Sequence, residues 1–147
     1  MKTFILFLIF AILLQTTLIP INLCLIMLVC RGLTTDERAN FYIAIISGIF
    51  LGLLTSLNLG FYPLIFLIYV LLLSLFKKSS FSSNFLLFLP FAFLVYLTTA
   101  FLEKFFFNQS INLYKLLFEL VLTLPIYLIV RFWGERFVVN KGIKLKV

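Results

Sequence analysis

The sequence predicts an all-α integral membrane protein with six transmembrane helices, and three observations support this class. Hydrophobic residues make up 64% of the 147-residue chain and charged residues only 12%, about half the ~25% that is usual in soluble domains. The mean hydropathy is +1.23. The apolar residues also occur in long runs, which is typical of membrane helices, and not in the alternating pattern of a membrane β-barrel.

Polar loops and prolines divide the chain into six apolar segments that together form one membrane domain. The first division depends on Pro20 and its polar neighbours, since proline interrupts a helix. The second run is short, so residues 3–33 could instead form one kinked helix, which gives five spans. We place the spans at about residues 3–19, 20–33, 41–57, 61–76, 85–102 and 113–133, followed by a basic cytoplasmic tail at 134–147.

The basic residues follow the positive-inside pattern of membrane proteins. With six spans and both termini in the cytoplasm, ten of the twelve lie on the inner side, and only Lys104 and Lys115 lie outside. In a five-span topology, with the N-terminus outside, only Lys2 would change sides. The charges therefore fix the orientation of the last four spans but barely distinguish five spans from six. The net charge of +7 therefore indicates loop and lipid-headgroup contacts, not a nucleic-acid surface.

Few side chains in this chain could support chemistry. There is no histidine, and there are only five acidic residues. Cys24 and Cys30 lie within one apolar run, where packing roles are expected. The sequence contains no phosphate-binding loop, no nucleophile with its base and no metal-ligand cluster. We therefore predict no catalytic, cofactor or metal site.

Glu119 and Asn22 are polar residues predicted to lie within apolar spans. An acid in a span is costly and is a functional candidate by default. Lys115 precedes Glu119 by four residues and could pair with it along the helix. The alternatives for Glu119 are a bond to another helix, a partner-protein contact, and a proton or ligand site. We expect Asn22 to satisfy backbone groups at the break near Pro20 or to bond a neighbouring helix.

Small residues recur every four positions along residues 44–56, and on a helix they would form one continuous stripe. In water each interior glycine costs about 0.5–1 kcal/mol relative to alanine. In a bilayer, however, small residues let helix backbones approach closely. The short turn at 58–60 predicts that the third and fourth helices are neighbours. We predict a helix-packing or partner interface formed by Ala44, Gly48, Gly52, Ser56 and Gly60.

The order of these motifs matches a known membrane-protein pattern. Pro20-Ile-Asn22 begins the short second run, and Arg31-Gly32 follows in a polar loop. Residues 48–60 then align without a gap with Gly-x-x-x-Asp-Leu-x-Ser-Gly-x-x-Leu-Gly. This order resembles the bacterial rod-shape-determining membrane protein MreD family. The family's acid falls at Gly52 and its Ser-Gly on Thr55-Ser56, so the stretch keeps small packing residues and lacks the acid.

The resemblance implies a non-enzymatic subunit of the cell-elongation machinery in the bacterial cytoplasmic membrane. Such a subunit would bind an MreC-like protein and link the MreB cytoskeleton to a RodA-type glycosyltransferase and its transpeptidase. The family is also similar to the S-component fold of energy-coupling-factor transporters. A substrate-binding subunit of a vitamin transporter is therefore the alternative. A vitamin pocket needs several convergent polar groups, and these spans contain few.

Overall fold

The helices of this chain begin and end close to the predicted polar boundaries. The computed structural model describes residues 2–18, 21–35, 38–55, 60–78, 85–108 and 110–142. These residues form six helices and no strand, which confirms the all-α class for the described ranges. The helices are α1 (Lys2–Thr17), α2 (Leu23–Thr34), α3 (Ala39–Leu54), α4 (Phe61–Lys78), α5 (Phe85–Phe107) and α6 (Leu113–Gly142).

The first two apolar runs form two separate helices, not one kinked helix. α1 ends at Thr17, and α2 begins at Leu23. Between them Asn22 has a non-helical backbone, with φ −81° and ψ 62°. The two helices pack against each other, so the chain reverses direction at the polar segment between them.

α2 occupies the centre of the bundle and packs against α1, α3, α4 and α6. Eight of its twelve residues are buried, including Arg31 and Gly32. At a rise of 1.5 Å per residue, α2 is about 18 Å long, well short of a hydrocarbon core of about 30 Å. A helix this short and this buried is enclosed by its neighbours along most of its length.

Contacts at the two ends of α2 show that successive helices alternate in direction. Asn22, before the start of α2, bonds Glu103 near the end of α5 and Glu119 near the start of α6. Arg31, near the end of α2, contacts Phe4 in α1 and Asn40 in α3, both close to the starts of their helices. We call these two levels the Asn22 end and the Arg31 end of the bundle.

α3 makes its most extensive contact with α4, as the short turn between them predicts. A Cβ added to Gly48 would lie 2.5 Å from the Cα and N atoms of Pro63 and 2.8 Å from the carbonyl carbon of Tyr62. The two backbones therefore meet at Gly48, with no room for a side chain. Ala44 and Gly52 are also buried in α3.

Two positions of the predicted stripe do not join this contact. Ser56 lies outside the described residues, as do residues 58 and 59 of the predicted turn at 58–60. Gly60 is exposed, and a Cβ there would meet no atom within 4 Å. Gly60 therefore differs from the expectation of a packing residue, because it lies before α4 and beyond the face that meets α3.

Large apolar side chains cover the outer faces of the helices around α2. They are exposed on each of these five helices, as at Leu6, Leu53, Leu75, Phe101 and Val121. Two segments, Phe88–Phe107 in α5 and Leu113–Phe132 in α6, are long and apolar enough to cross a membrane, and the other four apolar helices are shorter. An apolar exterior of this extent is unusual for a soluble monomer, and both features indicate a membrane protein.

Most helix boundaries lie within three residues of the predicted spans, and the ends of α5 and α6 differ most. α2 begins at Leu23, three residues after the predicted start. α5 continues past residue 102 to Phe107, because apolar residues resume after Glu103 and Lys104. α6 continues to Gly142, so most of the predicted basic tail is helical, and residues 143–147 lie outside the described ranges.

Gly48→Ala should destabilise the bundle, since its new Cβ would overlap backbone atoms of α4 that cannot rotate away. We expect a loss of about 1–3 kcal/mol in the free energy of unfolding, as for other overpacked cores. Gly60→Ala is the matched control, because the same methyl group enters open space there. Thermal unfolding of both variants in one detergent measures the difference. Equal melting temperatures for the two variants would show that the backbones do not meet at Gly48.

Candidate functional site

A cluster of polar side chains surrounds the break between α1 and α2. The Asn22 backbone N–H donates to Glu119 Oε1 at 2.9 Å, and Asn22 Nδ2 donates to Glu103 Oε1 at 3.3 Å. Gln15 Nε2 donates to Asn22 Oδ1 at 2.8 Å, and Gln15 Oε1 accepts from the Cys24 backbone N–H at 3.0 Å. The backbone and amide groups freed at the break are thus bonded within the protein, as burial requires.

Glu103, in α5, makes two further contacts in this cluster, one with α4 and one with α6. Its carboxylate is hydrogen-bonded to the side chain of Tyr62, at the start of α4. Lys115 Nζ lies 3.9 Å from Glu103 Oε2. The ion pair of Lys115 therefore joins α6 to α5, whereas the sequence suggested a pair with Glu119 along α6. We call Gln15, Asn22, Tyr62, Glu103, Lys115 and Glu119 the Asn22 cluster.

Glu119 sits in the cluster through a bond to another part of the chain. Its side chain is buried, at 3% exposure, and it accepts the Asn22 N–H across 97 positions of sequence. This geometry corresponds to the expected alternative of a bond to another helix. Its own backbone carbonyl accepts from Thr123 Oγ1 at 2.6 Å, and Thr123 bonds the hydroxyl of Tyr96 at 2.7 Å. α5 and α6 are thereby tied together just below the cluster.

A small cavity of about 30 Å³ opens beside the cluster. Glu103, Glu119 and Asn22 form part of its wall, with Tyr96 and Thr99 of α5. Exposed Ser110 and Asn112, in the connection between α5 and α6, lie at its rim. Asn112 Oδ1 also accepts two backbone N–H groups in the first turn of α6, from Tyr114 at 3.0 Å and from Lys115 at 3.4 Å. The rim is therefore fixed by the start of α6.

Arg31 anchors the opposite end of α2. The sequence placed Arg31-Gly32 in a polar loop, but both residues are buried in the helix. Arg31 Nε donates to Asn40 Oδ1 at 2.9 Å, and its guanidinium lies 4.4 Å from the centre of the Phe4 ring. Asn40 in turn donates to the Thr35 carbonyl at 2.7 Å. An amide acceptor and an aromatic face stabilise the cation, so the helix can continue through Arg31.

The two cysteines are buried packing residues in the described part of the chain. Cys24 is hydrogen-bonded to Ser47 of α3, and Cys30 Sγ lies 3.8 Å from the Thr123 carbonyl oxygen. No group of three or more histidine, cysteine, aspartate or glutamate side chains within these ranges could hold a metal ion. The Asn22 cluster and its cavity are therefore the candidate site that these residues present.

The sequence marked Asn22, Lys115 and Glu119 as candidate contacts, and Gln15 is one of the few other polar residues within the apolar spans; the structure adds Glu103 and Tyr62 to them. Glu103 lies one residue beyond the predicted fifth span, at the start of the polar segment that precedes the sixth. A signal for its burial does exist in the sequence. Tyr96, Thr99 and Glu103 are spaced three and four residues apart, so on a helix they share one polar face. No such periodicity marks Tyr62 or Gln15, which reach the cluster from other helices.

A scan against protein-family models, a search of curated proteins and a search of solved structures found no match for this chain.

Glu119→Gln should be mild and Glu119→Leu severe. Glutamine keeps an Oε1 acceptor for the Asn22 N–H, whereas leucine leaves that buried donor without a partner. We expect Glu119→Leu to lower the free energy of unfolding by about 1–3 kcal/mol, the cost of one buried unsatisfied group. Thermal unfolding in detergent compares the two. Equal destabilisation by both substitutions would mean that the charge of Glu119, not its acceptor oxygen, stabilises the cluster.

Proposed function

We propose that this chain is a multi-pass protein of the bacterial cytoplasmic membrane, with six spans and both termini on the cytoplasmic side. The apolar outer faces of the five helices around α2 support this proposal. The alternating helix directions put the start of α1 and the end of α6 at the Arg31 end. The basic residues Arg38 and Lys77 belong to the same end, which makes it the cytoplasmic side by the positive-inside rule.

Several helices are shorter than the hydrocarbon core of a bilayer, but a bundle that contains them can still lie in the membrane. α1 and α3 have 16 residues each, about 24 Å at 1.5 Å per residue. Flanking polar residues and local thinning accommodate a helix a few ångströms short of the core. α2 is shorter still, but its neighbours shield it from lipid. Its polar ends are bonded inside the protein.

We propose further that the chain acts as an MreD-type structural subunit of the cell-elongation complex, without enzymatic activity. Its fold would be similar to that of energy-coupling-factor S-components, and it would bind an MreC-like protein. Through that partner it would link the MreB cytoskeleton to the RodA-type glycosyltransferase and its transpeptidase. The observation that supports this assignment is the stretch from Gly48 to Gly60. Its pattern resembles the family, and Gly48 is a point of backbone contact between α3 and α4.

The position of the stripe changes where the partner would bind. Ala44, Gly48 and Gly52 are buried inside the bundle, so they shape the subunit and leave its outer faces for docking. A partner helix would lie on an exposed apolar face instead. Mutations in the stripe would then affect partner binding through the stability of the subunit.

The alternative, a vitamin-binding transporter subunit, is disfavoured by the cavity. Its volume of about 30 Å³ is far below the roughly 300–1,000 Å³ of pockets that enclose a small-molecule ligand. A purified chain that retains a vitamin, or that copurifies with transporter ATPases, would favour this alternative over the elongation role.

Copurification tests the proposed partner. We expect the tagged chain, coexpressed with the MreC-like protein of the same genome, to capture that protein from detergent-solubilised membranes. Gly60→Ala should capture as much as the wild type, whereas Gly48→Ala should capture less in proportion to its loss of folded protein. A monodisperse, folded wild-type chain that captures no MreC-like protein would contradict the assignment.

Reporter fusions test the topology independently of the partner. Fusions at the start of α1 and between residues 35 and 38 should both report a cytoplasmic location, because two spans separate them. A fusion near Ser110 should report the outer side. Opposite locations for the first two fusions would contradict the six-span arrangement.

A further inference from the structure

The cavity at the Asn22 end carries an uneven charge. Glu103 and Glu119 contribute two carboxylates to its wall, whereas Lys115 is the one basic residue among those that line it. The lining therefore has one carboxyl group more than it has basic side chains. A cation that enters would stabilise the ionised form of that second carboxyl group, since an opposite charge nearby favours the charged form, so the cavity favours a cationic occupant.

The carboxylates can accept more hydrogen bonds than they receive from the protein. Lys115 Nζ is 3.9 Å from Glu103 Oε2, beyond the ~3.2 Å limit of an ordinary N–H···O hydrogen bond. Glu119 Oε1 receives the Asn22 N–H, and Glu103 receives the Asn22 side-chain amide and the Tyr62 hydroxyl. A pair of ionised carboxylates has roughly eight acceptor positions, so several remain for a donor that enters the cavity.

The size and the acceptor groups of the cavity together favour one type of cation. About 30 Å³ is enough for at least one water molecule, so a single small polar group fits. A primary ammonium group is comparably small and has three N–H donors. A trimethylammonium group is larger and has no N–H donor. The open rim at Ser110 and Asn112 allows an ammonium group to enter while the rest of its molecule stays outside.

The depth of the cavity matches the headgroup level of a bilayer. Glu103 lies four residues before the end of α5 and Glu119 six residues after the start of α6, about 6–9 Å from the helix ends. Phe105 and Tyr114, at the same end of these helices, are 84% and 86% exposed. Tyrosine is enriched at the membrane–water interface, so Tyr114 fits that level.

From this geometry we propose that the cavity binds the primary ammonium of a phospholipid headgroup, as in phosphatidylethanolamine. The ammonium lies between Glu103 and Glu119. The headgroup phosphate lies at the rim, within reach of Lys115, whose side chain is 33% exposed. The proposal rests on the membrane placement given above and is independent of the MreD assignment.

The test compares phosphatidylethanolamine with phosphatidylcholine that has the same acyl chains, so that only the headgroup ammonium differs. The purified full chain in detergent is titrated with each lipid, and binding is measured by native mass spectrometry and by thermal unfolding. We expect phosphatidylethanolamine to bind about tenfold more tightly or better, since hydrogen bonds to charged groups contribute that much. Equal binding of the two lipids would overturn the proposal. Soluble ethanolamine that protects as well as the lipid would also overturn it, by showing a free-amine site.

Single substitutions test whether the two carboxylates cause the preference for phosphatidylethanolamine. Glu103→Gln and Glu119→Gln keep an acceptor for Asn22, and each should lower the preference for phosphatidylethanolamine about tenfold. Lys104→Gln changes an exposed charge on the adjacent residue and should leave the preference unchanged. A preference that persists in both glutamine variants would overturn the proposal. If a glutamine variant fails to fold, a competition experiment on the wild-type chain replaces it. Methylamine in large excess should displace bound phosphatidylethanolamine. Equal displacement by tetramethylammonium at the same concentration would overturn the site.

Alkaline extraction of the same membranes separates this inference from the membrane proposal. A chain that stays in the membrane pellet but binds both lipids equally refutes the headgroup site alone. A chain released by alkaline washing refutes the membrane placement and the headgroup site together. Failure to capture an MreC-like protein leaves the lipid result standing, because the two measurements use different surfaces.

Discussion

A short helix enclosed by other helices must find partners inside the bundle for the polar groups at both of its ends, and α2 is such a helix. Asn22 meets this requirement at one end through Glu103 and Glu119, and Arg31 meets it at the other through Asn40 and Phe4. These bonds link α2 to α1, α3, α5 and α6. The order of the surrounding helices follows from where those partners lie.

The contact between α3 and α4 shows a second constraint, the need for close backbone approach. Apolar side chains gain little by leaving lipid for a protein interior, so membrane helices associate through packing and interhelical hydrogen bonds. Gly48 permits such packing because it has no Cβ to hold the α4 backbone away. The stripe therefore packs inside the bundle. The outer apolar faces carry bulky leucine and phenylalanine side chains instead.

The Asn22 cluster combines a structural role with an accessible cavity. Its hydrogen bonds join the α1–α2 break to α4, α5 and α6, so the same side chains that fix the helices also shape the opening. A vitamin would not fit a space of about 30 Å³, but a single ammonium group would.

The sequence by itself determined the helical class and the proximity of α3 to α4, because long apolar runs and a short turn are local signals. It left open whether residues 3–33 form one kinked helix or two, and the structure decided for two, since α1 ends at Thr17 and α2 begins at Leu23. The sequence also marked Asn22 and Glu119 as unusual, since polar groups in apolar runs are costly wherever the chain folds. Only the tertiary structure decided that α2 is central, that Lys115 pairs with Glu103, and that Arg31 is buried. These outcomes depend on contacts between helices far apart in sequence, and the periodicity of one helix does not specify which neighbour its polar residues will meet.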